Sequence, residues 1–253
     1  MKREVIITAD GSSTIHIPEW NEQYHSKHGA IQEANHVFIK HGLHHFCEKN
    51  SLFKYDFKGG EAIHILEIGF GTGLNAFITL LEAEKLNLNI NYNGAEAYPI
   101  SEAEIKALNY TKALKAENKA GLFKTLHNTV WEKTLKIKEG FNLTKRKQLF
   151  SEIKDVGVHN IIYFDAFGAR VQPELWTHAI FEIMYRALKP NGILVTYCAK
   201  GSVRRAMQTV GFSVERLQGP PGKREMLRAT KKTNMSHSKK TTFMFQSQLL
   251  THA

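Results

Sequence analysis

Between Ala62 and Ala229 the apolar positions change period repeatedly. Short, nearly continuous apolar runs predict buried strands over residues 62–68, 90–95, 161–164 and 192–198. Between them apolar residues recur three and four apart, as Leu74, Phe77, Ile78 and Leu81 do, and predict helices over residues 74–84, 101–114, 175–188 and 203–210. Ser101 and Glu104 have the spacing of a capping box. Residues 212–217 and 225–229 predict a closing antiparallel pair. The Lys-rich stretch 121–156 has a weaker pattern, which predicts a helix near 129–137 and a weak strand near 141–143. Strands alternating with helices imply parallel strands joined by right-handed crossovers, so the class is α/β with a seven-stranded, mostly parallel sheet.

Residues 1–60 lack this alternation and read as an amino-terminal extension. Residues 5–9 and 14–17 flank Asp10-Gly11-Ser12-Ser13, the composition of a hairpin turn. Residues 22–42, with Ile31, Val37, Phe38 and Ile39, predict a partly helical segment, and residues 51–61 a loop leading into a main domain over 61–230. Residues 231–253 carry Lys, Ser and Thr without periodicity and predict a basic flexible tail, in which Lys231-Lys232 and Lys239-Lys240 supply loose electrostatic attraction. No apolar run approaches the roughly 20 residues that span a bilayer, and the apolar start, broken at Asp10-Gly11, is too brief for a secretory signal. A cytoplasmic protein without a membrane partner is expected.

Charge narrows the partners. The 34 Lys and Arg residues against 24 Asp and Glu leave a net charge of +10, which attracts polyanions and makes nucleic acid the favoured partner. Cys47 and Cys198 are far apart and form no metal-type spacing, so neither a disulfide framework nor a zinc site is expected. His25, His28, His36, His41, His44 and His45 crowd the amino-terminal third at irregular spacing, and no metal site is predicted from them.

Three places carry candidate chemistry. The turn after the first core strand reads Glu67-Ile68-Gly69-Phe70-Gly71-Thr72-Gly73. Its glycines permit tight backbone geometry and close approach of a ligand, and Asn75 follows in the helix it opens. Such a turn serves a dinucleotide equally well. Glu96 ends the second strand, where an acidic side chain accepts hydrogen bonds from both ribose hydroxyls of an adenosine cofactor, NAD included. Asp165 ends the fourth strand, at the edge where open α/β sheets bind ligands, and Phe167 follows within Asp165-Ala166-Phe167-Gly168. Tyr24 and His25 are candidates to cover a cofactor from the extension.

With these residues in place the chain resembles a known family. Glu67 to Leu74, Glu96-Ala97-Tyr98-Pro99-Ile100, Asp165-Ala166-Phe167 with Pro173-Glu174-Leu175-Trp176-Thr177, Gly201-Ser202-Val203-Arg204-Arg205 and Gly222-Lys223-Arg224-Glu225-Met226-Leu227 occur in order. Together they resemble the MnmD/MnmC-type methyltransferases that finish 5-methylaminomethyl-2-thiouridine at the tRNA wobble position. The resemblance runs from about His25 to Arg228, and its last two pieces are more selective than the glycine turn. It implies a Rossmann-like class I fold with S-adenosylmethionine as cofactor, held by Glu67, Gly69, Phe70, Gly71, Gly73, Asn75 and Glu96. It also implies methyl transfer to the aminomethyl group of 5-aminomethyl-2-thiouridine, with Asp165 orienting the amine and Phe167 shaping the pocket. Arg204, Arg205, Lys223 and Arg224 would contact tRNA phosphates. The form resembled is the stand-alone one, without the FAD-dependent oxidase domain of fused members.

The chain departs from that pattern in three places. It has Phe141-Asn142-Leu143-Thr144-Lys145-Arg146 where a Gly-Asp pair is expected near the adenine, Gly168-Ala169 where the family has Ala-Pro, and Lys200 where a small residue is expected. Two rival readings stay open: methylation of a small-molecule or protein amine, and a NAD-binding oxidoreductase or catalytically silent RNA-binding module on the same fold.

Overall fold

The computed structural model describes residues 2–52 and 61–232. β1 (Glu4–Ile7) and β2 (Ser13–Ile17) form the expected hairpin, and β3 (Glu22–Gln23) adds a short third strand. Asp10 organises the hairpin turn, its Oδ1 accepting from Thr8 Oγ1 at 2.8 Å and from the Ser12 N–H at 3.0 Å. α1 (Ala30–Ala34), a π-helical stretch (Asn35–His44) and α2 (His45–Lys49) then run on without a break. Most of the expected 51–61 loop and of the 231–253 tail, including Lys239-Lys240, lies outside the described residues.

The main domain follows in the order β4 (Ile63–Ile68), α3 (Leu74–Lys85), β5 (Ile90–Ala95), α4 (Glu102–Ala107), α5 (Tyr110–Ala113), α6 (Ala120–Asn128), β6 (Thr134–Lys138), β7 (Phe141–Arg146), β8 (His159–Phe164), α7 (His178–Ala187), β9 (Leu188–Thr196), α8 (Gly201–Val210), β10 (Phe212–Gln218) and β11 (Glu225–Lys231). The strands lie in the order β10-β11-β9-β8-β4-β5-β7-β6. β9, β8, β4, β5 and β7 are parallel to one another, and β11, β10 and β6 are antiparallel to their neighbours. β4 and β8 are buried almost throughout because both faces of the sheet are covered. On one face Val37, Phe38, Phe77 and Leu126 pack against Ile65, Tyr92 and Tyr163; on the other Phe181, Met184, Val203 and Met207 pack against Leu66, Ile162, Phe164 and Leu194.

The α/β class and mostly parallel sheet match the pattern of the sequence, but the large sheet has eight strands rather than seven. The eighth, β6, lies where a helix near 129–137 was expected; the helix there, α6, ends at Asn128. Thr134-Leu135-Lys136-Ile137-Lys138 alternates polar with apolar and leads through Glu139-Gly140 into β7, so this is a hairpin whose strand signal is a short five-residue run inside the Lys-rich stretch. β7 reaches Arg146, beyond the expected weak strand at 141–143. The helix expected over 101–114 is two helices, although the capping box forms, with the Ser101 N–H donating to Glu104 Oε2 at 2.6 Å. Between them Asn109 leaves the helical path to grip the extension: its Oδ1 accepts from the Ser13 N–H at 2.8 Å, its N–H donates to Ser13 Oγ at 2.9 Å and its Nδ2 donates to Gly11 O at 2.9 Å. Cys47 and Cys198 are both buried and free.

Candidate active site

Strand order reverses between β4 and β8, and in open α/β sheets the ligand crevice opens at the carboxyl edge of such a point. Here the Gly69–Gly73 turn leaves β4. Gly69 has φ 91°, and a Cβ added to it would lie 2.6 Å from the Asp165 carbonyl oxygen, so only glycine lets the ends of β4 and β8 approach this closely. The Gly71 N–H donates to Glu96 Oε2 and the Tyr98 N–H to Glu96 Oε1, both at 2.9 Å. Glu96 thereby joins the turn to the end of β5, and each of its oxygens keeps a free lone pair. Gly69, Gly71 and Glu96 line a cavity of about 1040 Å³.

Asp165 lines the same cavity from the end of β8, its N–H donating to Ile68 O at 2.9 Å. Asn75, in the first turn of α3, donates through Nδ2 to Asp165 Oδ2 and to Glu67 Oε1, both at 2.8 Å. Glu67 is fully buried, which drives its pKa well above the usual carboxylate range. Asp165 is pushed up to about 7, first by burial and then by the Glu33 carboxylate, against the Asn75 hydrogen bond and the Lys223 charge. A carboxyl poised near neutrality in a cavity can take up or release a proton under ordinary conditions.

The segment after Asp165 is held from three sides. Trp176 Nε1 donates to Phe167 O at 2.7 Å, Tyr197 OH donates to Ala166 O at 2.9 Å, and Arg170 Nη2 reaches Trp20 O and Glu22 Oε2, each at 3.0 Å. The Phe167 ring meets Tyr24 edge-to-face at 4.9 Å and Trp20 at 5.5 Å. Tyr24 also lies against Gly71, and Arg3 donates to Tyr98 O at 3.1 Å. The extension therefore forms one wall of the cavity through Arg3, Trp20, Gln23 and Tyr24.

The other expected site residues divide. Glu67 and Asn75 stand directly behind the turn, whereas Phe70 is buried against Gly94 and His127, and Gly73 leads into α3 beneath His127, so neither faces the cavity. His25 does not cover the cavity either: it is buried behind the turn, within hydrogen-bond reach of Thr14 and Thr72. Arg205 and Arg224 are exposed and Arg204 is half-buried, on α8 and the β10–β11 turn. Lys223 departs from the expected outward phosphate contact. Its ammonium pairs with Glu33 and lies 3.8 Å from the centre of the Tyr197 ring, inside the protein. Leu149, Phe150 and Ser151 line the cavity just past β7, where the resemblance left the adenine contact unplaced. The visible signal for them was an apolar pair within the Lys-rich stretch, just after Lys145-Arg146-Lys147. Among the described residues no His, Cys, Asp and Glu cluster is arranged to hold a metal, and no helix is long and apolar enough to cross a membrane.

Residues 146–232, from the end of β7 through β11 and including Asp165, Tyr197 and Lys223, match the model of a family described as S-adenosyl-L-methionine-dependent methyltransferase. The chain is 28% identical over 232 residues to the tRNA 5-methylaminomethyl-2-thiouridine biosynthesis bifunctional protein MnmC of Delftia acidovorans, covering 85% of this chain and 33% of that protein. It is 25% identical over 229 residues to the protein of the same name from Aeromonas hydrophila, covering 83% and 32%. It thus spans about a third of the length of these relatives. Among solved structures, MnmC2 from Aquifex aeolicus superposes with a TM-score of 0.72 at 23% identity, covering 92% of this chain and 71% of that one. The chain is thus similar to MnmC-type proteins over most of its length, matches an S-adenosyl-L-methionine-dependent methyltransferase family over residues 146–232, and shares the α/β fold of MnmC2.

Proposed function

We propose that the chain methylates a primary amine on tRNA, the aminomethyl group of 5-aminomethyl-2-thiouridine at the wobble position, using S-adenosylmethionine. The observation that carries this reading is the single cavity shared by the Gly69–Gly71 turn, the Glu96 carboxylate and the near-neutral Asp165 carboxyl. The donor set fits the cofactor. Glu96 offers lone pairs to a ribose diol, the carboxyl groups of Glu96 and Asp165 suit a cation, and Leu149 and Phe150 offer an apolar surface to an adenine. When bound, S-adenosylmethionine supplies an electrophilic methyl group, which the amine lone pair captures as the carbon–sulfur bonding pair returns to sulfur.

The protein's own residues prepare the amine. Only the unprotonated nitrogen has a lone pair to donate, so it must arrive neutral or lose a proton in the cavity. Asp165, fixed by Asn75, accepts a hydrogen bond from the nitrogen, orients its lone pair and takes the proton released after methylation. Phe167, wedged between Trp20 and Tyr24, packs the pocket wall beside it. Arg204, Arg205 and Arg224 serve the phosphates of a tRNA, in keeping with the net charge of +10, and a tRNA substrate puts the enzyme in the cytoplasm.

Incubation with S-adenosylmethionine and tRNA carrying the unmethylated aminomethyl-thiouridine, followed by mass spectrometry of the nucleosides, should reveal one added methyl on that base. Asp165→Asn should retain cofactor affinity and lose about 10²–10⁴-fold in turnover. Tight cofactor binding without base modification would redirect the search to another amine acceptor, and nicotinamide binding would overturn the reading.

A further inference from the structure

Lys223 and Glu33 come from opposite ends of the chain and meet beside Asp165. Glu33, in α1, is buried; its Oε2 accepts from the Ser26 N–H at 2.8 Å and its Oε1 pairs with the Lys223 ammonium. Lys223 belongs to the β10–β11 turn, where its own N–H donates to Pro220 O at 2.9 Å. Gly222, at φ 82°, leaves room for the His28 ring, so the turn seats on the extension and directs Lys223 inward. The ammonium lies on the Tyr197 ring, and the Tyr197 hydroxyl holds the Ala166 carbonyl immediately after Asp165.

We propose that the Glu33–Lys223 ion pair is a positioning element for Asp165, holding the Ala166–Phe167 peptide that follows it through Tyr197 and controlling whether the Asp165 carboxyl can accept a proton from the substrate. An ion pair differs here from either of its members alone. At Asp165 the two charges act in opposite directions, Glu33 the more strongly: a lone Glu33 carboxylate resists ionisation of Asp165, and a lone Lys223 ammonium favours it. The other titratable groups around Asp165 do not substitute for the pair. Glu67, on β4, has its pKa raised well above the usual carboxylate range by burial, and the phenols of Tyr92 on β5 and Tyr197 just past β9 have pKa values raised well above 10 by burial. Asn75, on α3, is uncharged. Burial sets the raised range of Asp165, and Glu33 and Lys223 are the charges that act on it there.

The inference rests on the methyl-transfer reading for its kinetic consequence only, so the primary test needs no substrate. In ligand-free protein labelled with ¹³C at the aspartate carboxyls, the Asp165 resonance should titrate near pH 7 in the wild type. The midpoint should rise by about one pH unit in Lys223→Met, fall by at least as much in Glu33→Gln, stay near the wild-type value in Lys223→Arg, and lie between the two single variants in the Lys223→Met/Glu33→Gln double variant. The acidic limb of kcat/KM should move in the same directions, so Lys223→Met loses about tenfold at pH 6 while Glu33→Gln does not. A simple loss of packing would weaken both single variants alike and leave the midpoint in place, and either that result or midpoints moving the same way would overturn the proposal. If Glu33→Gln fails to fold, the contrast between Lys223→Met and Lys223→Arg decides. Opposed midpoints in a protein that methylates no aminouridine would sustain the ion-pair role and reject the substrate.

Discussion

The cavity has two walls of different origin. One consists of strand ends and the turns that leave them: the Gly69–Gly71 turn, Glu96 and Asp165. The other is supplied by the extension through Arg3, Trp20, Gln23 and Tyr24. The first wall is held by main-chain geometry, as Gly69 against the Asp165 carbonyl and Gly71 donating to Glu96 illustrate. The second is held by side chains: Arg170 on Trp20 and Glu22, the Phe167 ring between two aromatics, and Lys223 on Glu33. The first wall therefore tolerates almost no added atom, whereas the second can be thinned one side chain at a time.

The largest effect should follow from breaking the first wall. Gly69→Val places a β-branched residue at positive φ, which costs about 1–2 kcal/mol in backbone terms, and its Cβ meets main chain rather than a movable side chain. The Asp165 peptide must move, taking the Asn75 hydrogen bond with it. Calorimetry should find S-adenosylmethionine affinity reduced by 100-fold or more, on the order of 3 kcal/mol, together with a lower melting temperature. Near-normal affinity would mean that the turn is not the cofactor cradle.

A smaller effect should come from the second wall. Tyr24→Ala removes an edge-to-face partner of Phe167 and the ring lying against Gly71, and such aromatic pairs contribute about 0.5–1.5 kcal/mol beyond area burial. Cofactor and substrate binding should each weaken by about tenfold or less while the protein stays folded, since the ring lines a cavity and is absent from the apolar core. Loss of cooperative unfolding in this variant would show that the two walls are one structural unit, contrary to the comparison drawn here.

The same contrast decides what could be read from the sequence. The glycine turn, Glu96 and Asp165 sit at strand ends, where apolar periodicity stops and special residues begin, so local pattern locates them. Most of the extension's wall was not legible. Trp20, Arg3 and Glu33 reach the site through contacts with residues about a hundred positions away or more, and nothing in their neighbours marks that. Lys223 shows the limit most sharply. Its motif was recognisable, but whether a lysine points at solvent or into the protein depends on what the distant α1 offers it, and Glu33 offers a buried carboxylate. Likewise β6 was missed because its alternation is a single five-residue run within the Lys-rich stretch, and the break between α4 and α5 because Asn109 is needed elsewhere.

The smallest effect concerns what stands behind the first wall. Glu67 has no exposure, and its folded-state pKa lies above the unfolded value of roughly 4.3. A raised carboxyl pKa contributes stability fully below the unfolded pKa, and that contribution diminishes as pH climbs from there toward the folded pKa, because the unfolded chain releases the proton while the native state retains it. Glu67→Gln keeps the oxygen that accepts from Asn75 and abolishes the titration. Its new amide group needs an acceptor, and leaving it without one costs about 1–3 kcal/mol at every pH, so the intercept carries no information. The slope does. Between pH 5 and pH 7 the melting temperature of the variant should gain on the wild type by a few degrees, at about 1.4 kcal/mol per pH unit at most and about 2–4 °C per kcal/mol for a chain of this size. Parallel melting curves across that range would mean that Glu67 is ionised in the native protein, and the Asn75 bridge would then join two carboxylates instead of one carboxylate and one acid.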